Sequence, residues 1–511
     1  MSGFRLSPSA AGQASGAALR IQRLLRAAAL LSLVFLHVGS TSRASSIDDR
    51  LSALLDLSCL RRARVGIKVT RVRDGRVLFE RGSDRSLQPA STLKLLTAAA
   101  ALDALGSEFT FKTRFLSEAP IRDGVLEGDL IVQGGGAPDL TAERLWYAAR
   151  ALARLGLRRV RGDLVADESY FDSERRPAGW RAPGVRRAYN APVGPLSFNF
   201  NVATLEVDPG AAPGERPQAR LAPLGAGIEL INAATTSSSR THLWVEMRQR
   251  RGREQWILRG RIRRGSATVR LHRSVRDPAR YTLGALRELL SREGVELSGG
   301  LKTGAAPAIG REIFVLESQP LSQVLFMMNK MSNNMMAEAI LKTLGAESFG
   351  APGTTASGLR VLRDFLERAG VRMEAVRLAD GSGLSTRDTL PAAALVRLLE
   401  QMPKRFELWP EFLASLPIGG VDGTLSDRMV DLAQRHVRAK TGRVSGTVSL
   451  AGYAENQDGE LLAFAVLVNQ IRCHYPRVRD QIDRLALALA GSHSVDRPAA
   501  DAIAAPGAAG P

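Results

Sequence analysis

Ser91-Thr92-Leu93-Lys94, Ser332-Asn333-Asn334 and Lys440-Thr441-Gly442 stand in the chain in that order. A serine with a lysine three residues on is a nucleophile with a base within reach. A second hydroxyl beside an amide can pass a proton and hold a backbone. A lysine and threonine on a strand can bind a carboxylate. Together these groups suit acyl transfer through a serine, with Ser91 attacking, Lys94 taking its proton and Ser332 relaying it. Each group is weak alone. The first is also read as an N-cap serine before an exposed lysine, and the second as capping residues between helices. Lysine is scarce, however, and of the chain's lysines only Lys94 has a serine three positions earlier.

The elements around these groups are the ones the chemistry needs. Pro89 precedes Ser91, an Ala/Leu run comes after it, and Gly106 closes it, which predicts a helix opening near Ser91. On a helix, residues three apart share a face with their Cβ atoms about 5–6 Å apart. Burial would then keep Lys94 neutral enough to act as a base. Ser332 falls at the junction of two helical stretches, and Asn334 is placed to hold substrate backbone or Lys94. Lys-Thr-Gly occurs twice. Lys302-Thr303-Gly304 reads as a hairpin strand running into a loop, whereas Lys440-Thr441-Gly442 is followed by the apolar runs Val448–Tyr453 and Leu461–Val468. An edge strand there would pair with an extended peptide, so Lys440, Thr441 and Gly442 are chosen and Lys302 is set aside.

Further stretches strengthen the pattern: Gly128-Asp129-Leu130 with Gly134-Gly135-Gly136, Gly162–Asp167, Tyr189-Asn190-Ala191-Pro192 with Leu196–Asn199, Asp380–Ser385, and Leu416–Leu425. With the three motifs, they make the chain resemble a class C low-molecular-mass penicillin-binding protein, the D-alanyl-D-alanine carboxypeptidase/endopeptidase family, over roughly residues 47–490. The resemblance implies an α+β fold of the serine β-lactamase and transpeptidase kind. Its five-stranded antiparallel sheet is made of the N-terminal hairpin and three C-terminal strands, flanked by the terminal helices, with a helical lobe bearing the Ser91 and Ser332 motifs. It also implies an oxyanion hole from the amides of Ser91 and Arg443, peptidoglycan stem peptides as substrate, and β-lactams as covalent inhibitors. Arg443 stands where a small or hydroxylated residue is more usual. A β-lactamase or esterase of the same fold, or a non-catalytic wall-binding protein, are the rivals.

Composition fits. At 511 residues the chain is long enough for more than one folded unit, and its 45% apolar content is ordinary for globular proteins. Arg5, Arg20, Arg23 and Arg26 precede the apolar run Ala27–Leu36, and no acidic residue comes before Asp48. This reads as a secretory signal over 1–44, cleaved between Ser40 and Ser45, so the destination is extracytoplasmic. The run is too short to span a membrane comfortably, which leaves at most peripheral membrane contact. The formal charge of +19 falls to +14 once Arg5, Arg20, Arg23, Arg26 and Arg43 are removed. The arginines are scattered and no nucleic-acid motif accompanies them, so nucleic acid is excluded as a partner.

No Gly-x-Ser-x-Gly elbow, His-Glu-x-x-His pair or phosphate loop is present, and the six histidines are scattered. No metal or cofactor is expected. Cys59 and Cys473 permit one disulfide or two thiols, and both readings stay open. The domain reading is a discontinuous catalytic domain over 46–106 and 279–490, an inserted and mostly β segment over 107–278 with one helix near Thr141–Leu155, and a disordered tail over 491–511. Ile47–Leu57 and Gln481–Ala490 are read as the terminal helices.

Overall fold

The computed structural model describes residues 51–52, 60, 62–180, 186–250, 253–306, 310–430 and 435–494. The expected signal segment, the cysteine Cys59 and most of the Ile47–Leu57 helix lie outside them.

Five antiparallel strands form the sheet that frames the site, in the order Val437–Val444, Thr447–Glu455, Leu461–Asn469, Arg64–Arg71 and Val77–Arg81. The strands Thr447–Glu455 and Leu461–Asn469 are buried almost throughout. Such runs need cover on both faces. Helix Ala392–Gln401 packs against several of these strands, and Tyr453 of the sheet donates its hydroxyl to Leu399 O at 2.7 Å. Helix Tyr475–Ala490, which begins six residues earlier than expected, packs against Thr447–Glu455 and Val437–Val444. The hairpins turn where the sequence supplies turn chemistry. Gly75 and Gly459 both have positive φ, and Asn456 Oδ1 accepts the amides of Asp458 and Glu460.

The helical lobe packs around Lys94–Leu105, whose first nine residues are all buried. A helix apolar all round belongs in a core, and its alanines let Asn334–Phe349 approach closely. Leu321–Met331, Thr355–Arg368 and Trp409–Ser415 complete the lobe.

A second core lies in the inserted part, running in sequence from Phe115 to Leu316. Four sheets and the helices Ala142–Arg154 and Pro278–Arg292 build it. The second core therefore extends past the boundary expected at 278. Leu301–Thr303 pairs with Leu164–Asp167, Arg311–Glu317 pairs with Lys112–Ser117, and the apolar face of Pro278–Arg292 packs into the second core. Between Leu102 and Leu321 the first core takes Phe111, Ala137, Phe171, Ala191 and Val193, and it becomes continuous again from Leu321.

The Lys302 hairpin is also corrected. Glu296–Leu297 and Leu301–Thr303 join different sheets, each through a parallel pair. Gly299 between them abuts Gly162 so closely that a Cβ would lie 2.1 Å from Gly162 O. The chain crosses between sheets there instead of folding back. The first four residues of the expected tail are placed. Gln457 donates its amide to Ser492 O at 3.0 Å and Ser494 donates to Asp458 at 2.5 Å, so residues 491–494 pack on the Asn456–Gly459 turn. The rest of that tail lies outside the described residues.

Candidate active site

Ser91 sits in a single 3-10 turn, Ala90–Leu93, that runs directly into helix Lys94–Leu105. Thr92 ties the turn down by donating its hydroxyl to Pro89 O at 2.7 Å. The segment is also fixed from the sheet. Ser449 Oγ donates to Pro89 O at 2.6 Å, and the Asn469 side chain both accepts from Gln88 N (2.7 Å) and donates to Gln88 O (3.0 Å). Gly442 of the edge strand lies against this turn. A Cβ there would stand 2.0 Å from Ser449 Oγ and 3.0 Å from Ser91 N, so only glycine lets the strand approach the Ser91 amide.

Lys94 is wholly buried, and its Nζ stands 3.1 Å from Ser91 Oγ, 2.6 Å from Asn334 Oδ1 and 2.7 Å from Ser382 O. A neutral amine has two N–H groups and one lone pair. Donation to the Asn334 and Ser382 oxygens uses both N–H groups and turns the lone pair toward the Ser91 hydroxyl. Burial pulls the Lys94 ammonium down to about 8, against the opposing attraction of Asp380, Glu338 and Asp388. Burial also pushes Glu338 and Asp388 well above the carboxylate range, with the nearby Asp380 adding to the effect.

Ser332 occupies a left-handed position, φ 56°, between helices Leu321–Met331 and Asn334–Phe349. The capping role weighed for this motif falls to Asn333, whose side chain accepts from Met336 N at 3.1 Å. Ser332 and Asn334 are thereby left to the cavity. Asn334 donates its Nδ2 to Tyr189 O at 2.8 Å, which fixes its Oδ1 toward Lys94.

Lys440 is fully buried on the edge strand, with Nζ donating to Thr441 O at 3.0 Å. Burial, then the nearby Lys94, hold its ammonium well below the usual lysine value. Thr441 Oγ1 donates to Thr424 Oγ1 at 2.8 Å. The Arg443 guanidinium lies 3.8 Å over the centroid of the Tyr475 ring.

A cavity of about 380 Å3 joins these groups. Ser91, Ser332, Asn334, Thr441 and Arg443 line it, together with Tyr189 and Thr424. Lys94 and Lys440 are buried, and Gly442 packs behind Ser91. All eight candidate residues thus gather about one place, whereas Lys302 is exposed and ion-paired to Asp163 in the second core's sheet. Sequence reading assigned no role to Ser382, Asp380, Glu338, Tyr189 or Thr424. All but Glu338 fall in stretches noted for their resemblance, which was the available signal.

The chain is 34% identical over 472 residues to a D-alanyl-D-alanine carboxypeptidase of Actinomadura sp. (strain R39), covering 87% of each. Its fold is similar to the crystal structure of penicillin binding protein 4 (dacB) from Haemophilus influenzae, with TM-score 0.75, 27% identity, and coverage of 85% of this chain and 97% of that one. The same protein complexed with a β-lactam matches at TM-score 0.70 and 25% identity. Residues 47–489 match the family model described as D-Ala-D-Ala carboxypeptidase 3, and the chain belongs to that S13 family.

Proposed function

We propose that this chain is a serine D-Ala–D-Ala carboxypeptidase, and also a D,D-endopeptidase, acting on peptidoglycan stem peptides outside the cytoplasm. The observation that carries the reading is the buried Lys94 amine, 3.1 Å from Ser91 Oγ with both its other partners fixed. Ser91 Oγ attacks the carbonyl of the penultimate D-Ala while its proton passes to Lys94. The amides of Ser91 and Arg443 hold the oxyanion. The C–N bond breaks, and Lys94 and Ser332 deliver the proton to the departing amine, whose carboxylate is held by Lys440 and Thr441. Water then hydrolyses the ester on Ser91 and restores the hydroxyl. A cross-linked leaving amine would follow the same steps. Penicillin would enter by the same attack and stay as a stable ester. Among the described residues no helix is long and apolar enough to cross a membrane.

Intact-mass analysis after incubation with penicillin tests the reading. One stable adduct is expected, and it should be absent from Ser91→Ala. An adduct that survives in the variant moves the nucleophile elsewhere. No adduct with loss of free penicillin favours a β-lactamase, and no adduct with penicillin intact favours the non-catalytic rival.

A further inference from the structure

Both fixed acceptors of Lys94 are held from the inserted segment. Asn334, at 2.6 Å, is anchored through its Nδ2 to Tyr189 O. Ser382 O, at 2.7 Å, belongs to a turn wound around the fully buried Asp380. Five donors converge on that carboxylate. Oδ1 accepts from Ser382 N (2.9 Å) and Gly383 N (2.6 Å), while Oδ2 accepts from Ser385 N (2.7 Å), the Ser382 hydroxyl (3.2 Å) and the Trp180 indole (2.8 Å). The turn is seated on the nucleophile's own segment. Gly383 has φ +76°, and a Cβ there would lie 1.9 Å from Ala90 O.

We propose that Asp380 is a positioning residue for Lys94, fixing the turn so that the Ser382 carbonyl aims the amine at Ser91, and that Trp180 fastens this carboxylate to the inserted segment. The assignment rests on the roles given to Ser91 and Lys94 above. It makes the inserted part a support of the reaction centre from two directions, through Trp180 and through Tyr189.

The charged and titratable groups that face Lys94 come from three elements. Glu338 lies on helix Asn334–Phe349, Asp380 and Asp388 lie in the segment before helix Ala392–Gln401, and Lys440 lies on the edge strand. Burial and Asp380 push Glu338 and Asp388 well above the carboxylate range, so Asp380 supplies the leading attraction that opposes the fall of Lys94 toward about 8. An amide in its place removes that attraction and also the repulsion that raises Glu338 and Asp388, so it resets the Lys94 balance.

Penicillin acylation of the full chain, measured against pH for wild type, Asp380→Asn and Trp180→Phe, tests the assignment. Asp380→Asn should lower the plateau rate about a hundredfold, the scale of loss expected when a catalytic group is misplaced. Its pH midpoint should be displaced from that of wild type. Trp180→Phe should slow acylation by about tenfold or more, in line with one lost hydrogen bond to a charged group. A folded Asp380→Asn protein with the wild-type rate overturns the proposal. So does a slow one whose midpoint has not moved, because scaffolding alone would explain it. If Asp380→Asn does not fold by circular dichroism, Trp180→Phe decides, and an unchanged rate there overturns the proposal. A wild type that never acylates overturns the functional reading and this one with it, whereas labelled wild type with unaffected variants overturns this one alone.

Discussion

At the residue scale the decisive contest is over the proton on Lys94. Three carboxyl groups stand near enough to attract it, yet the amine is pulled from 10.5 to about 8. Burial wins because two of the three, Glu338 and Asp388, are themselves pushed upward and carry less charge to oppose it. The amine must be neutral to take the Ser91 proton, and a group with its midpoint near 8 is roughly one-tenth neutral at pH 7. Acylation by penicillin should therefore rise about tenfold per pH unit below that midpoint and level off above it. A stopped-flow rate profile from pH 5.5 to 10 checks the sign, and a rate that falls as pH rises toward 8 contradicts it. Little of this balance was legible in the sequence. Glu338 stands on a helix and Asp380 just before a glycine, where a carboxylate ordinarily reads as solvated. The Ser382 contact is a main-chain carbonyl, which side-chain identity does not reveal.

At the element scale, the two Lys-Thr-Gly triplets differ in the strands downstream of them. Lys440 lies on an edge strand whose neighbours Thr447–Glu455 and Leu461–Asn469 form a buried sheet, and Gly442 lets that edge abut Ser91 N. Lys302 lies on a three-residue strand of the second core, exposed and paired with Asp163. Lys440→Gln should accordingly lower penicillin acylation by about two orders of magnitude, as for loss of a preorganised donor from a water-poor site. Lys302→Gln should leave it within twofold, and parallel acylation rates for the two variants would expose a reversed assignment. The sequence was informative here because apolar strand runs and helix runs are local patterns. It did not show how far the second core extends, for a matching reason. The apolar face of Pro278–Arg292 has the same period whichever core it packs against, and only the pairing of Arg311–Glu317 with Lys112–Ser117 shows which.

At the scale of the whole molecule, the sheet closes over nearly the full chain. Arg64–Arg71 lies between Val77–Arg81 and Leu461–Asn469, and the Asn469 side chain grips both backbone groups of Gln88, 381 positions away. Asn469→Ala would leave two such groups unpaired in a site where the residue is 8% exposed. Stability should fall by about 1–3 kcal/mol, read from urea unfolding, and the acylation rate should fall with it because Gln88 precedes the Ser91 turn. A variant as stable as wild type would show that water replaces the grip. The global pairing was foreseeable only through resemblance, since no local pattern links residue 88 to residue 469. That long reach also orders events in time. Synthesis proceeds from the N-terminus, so Ser91 and Lys94 emerge far ahead of the edge strand that must abut them. A growing chain, or any fragment that stops before Val437, carries its serine without Gly442 or Lys440 beside it. Completion of the polypeptide thus acts as a safety catch on its own nucleophile.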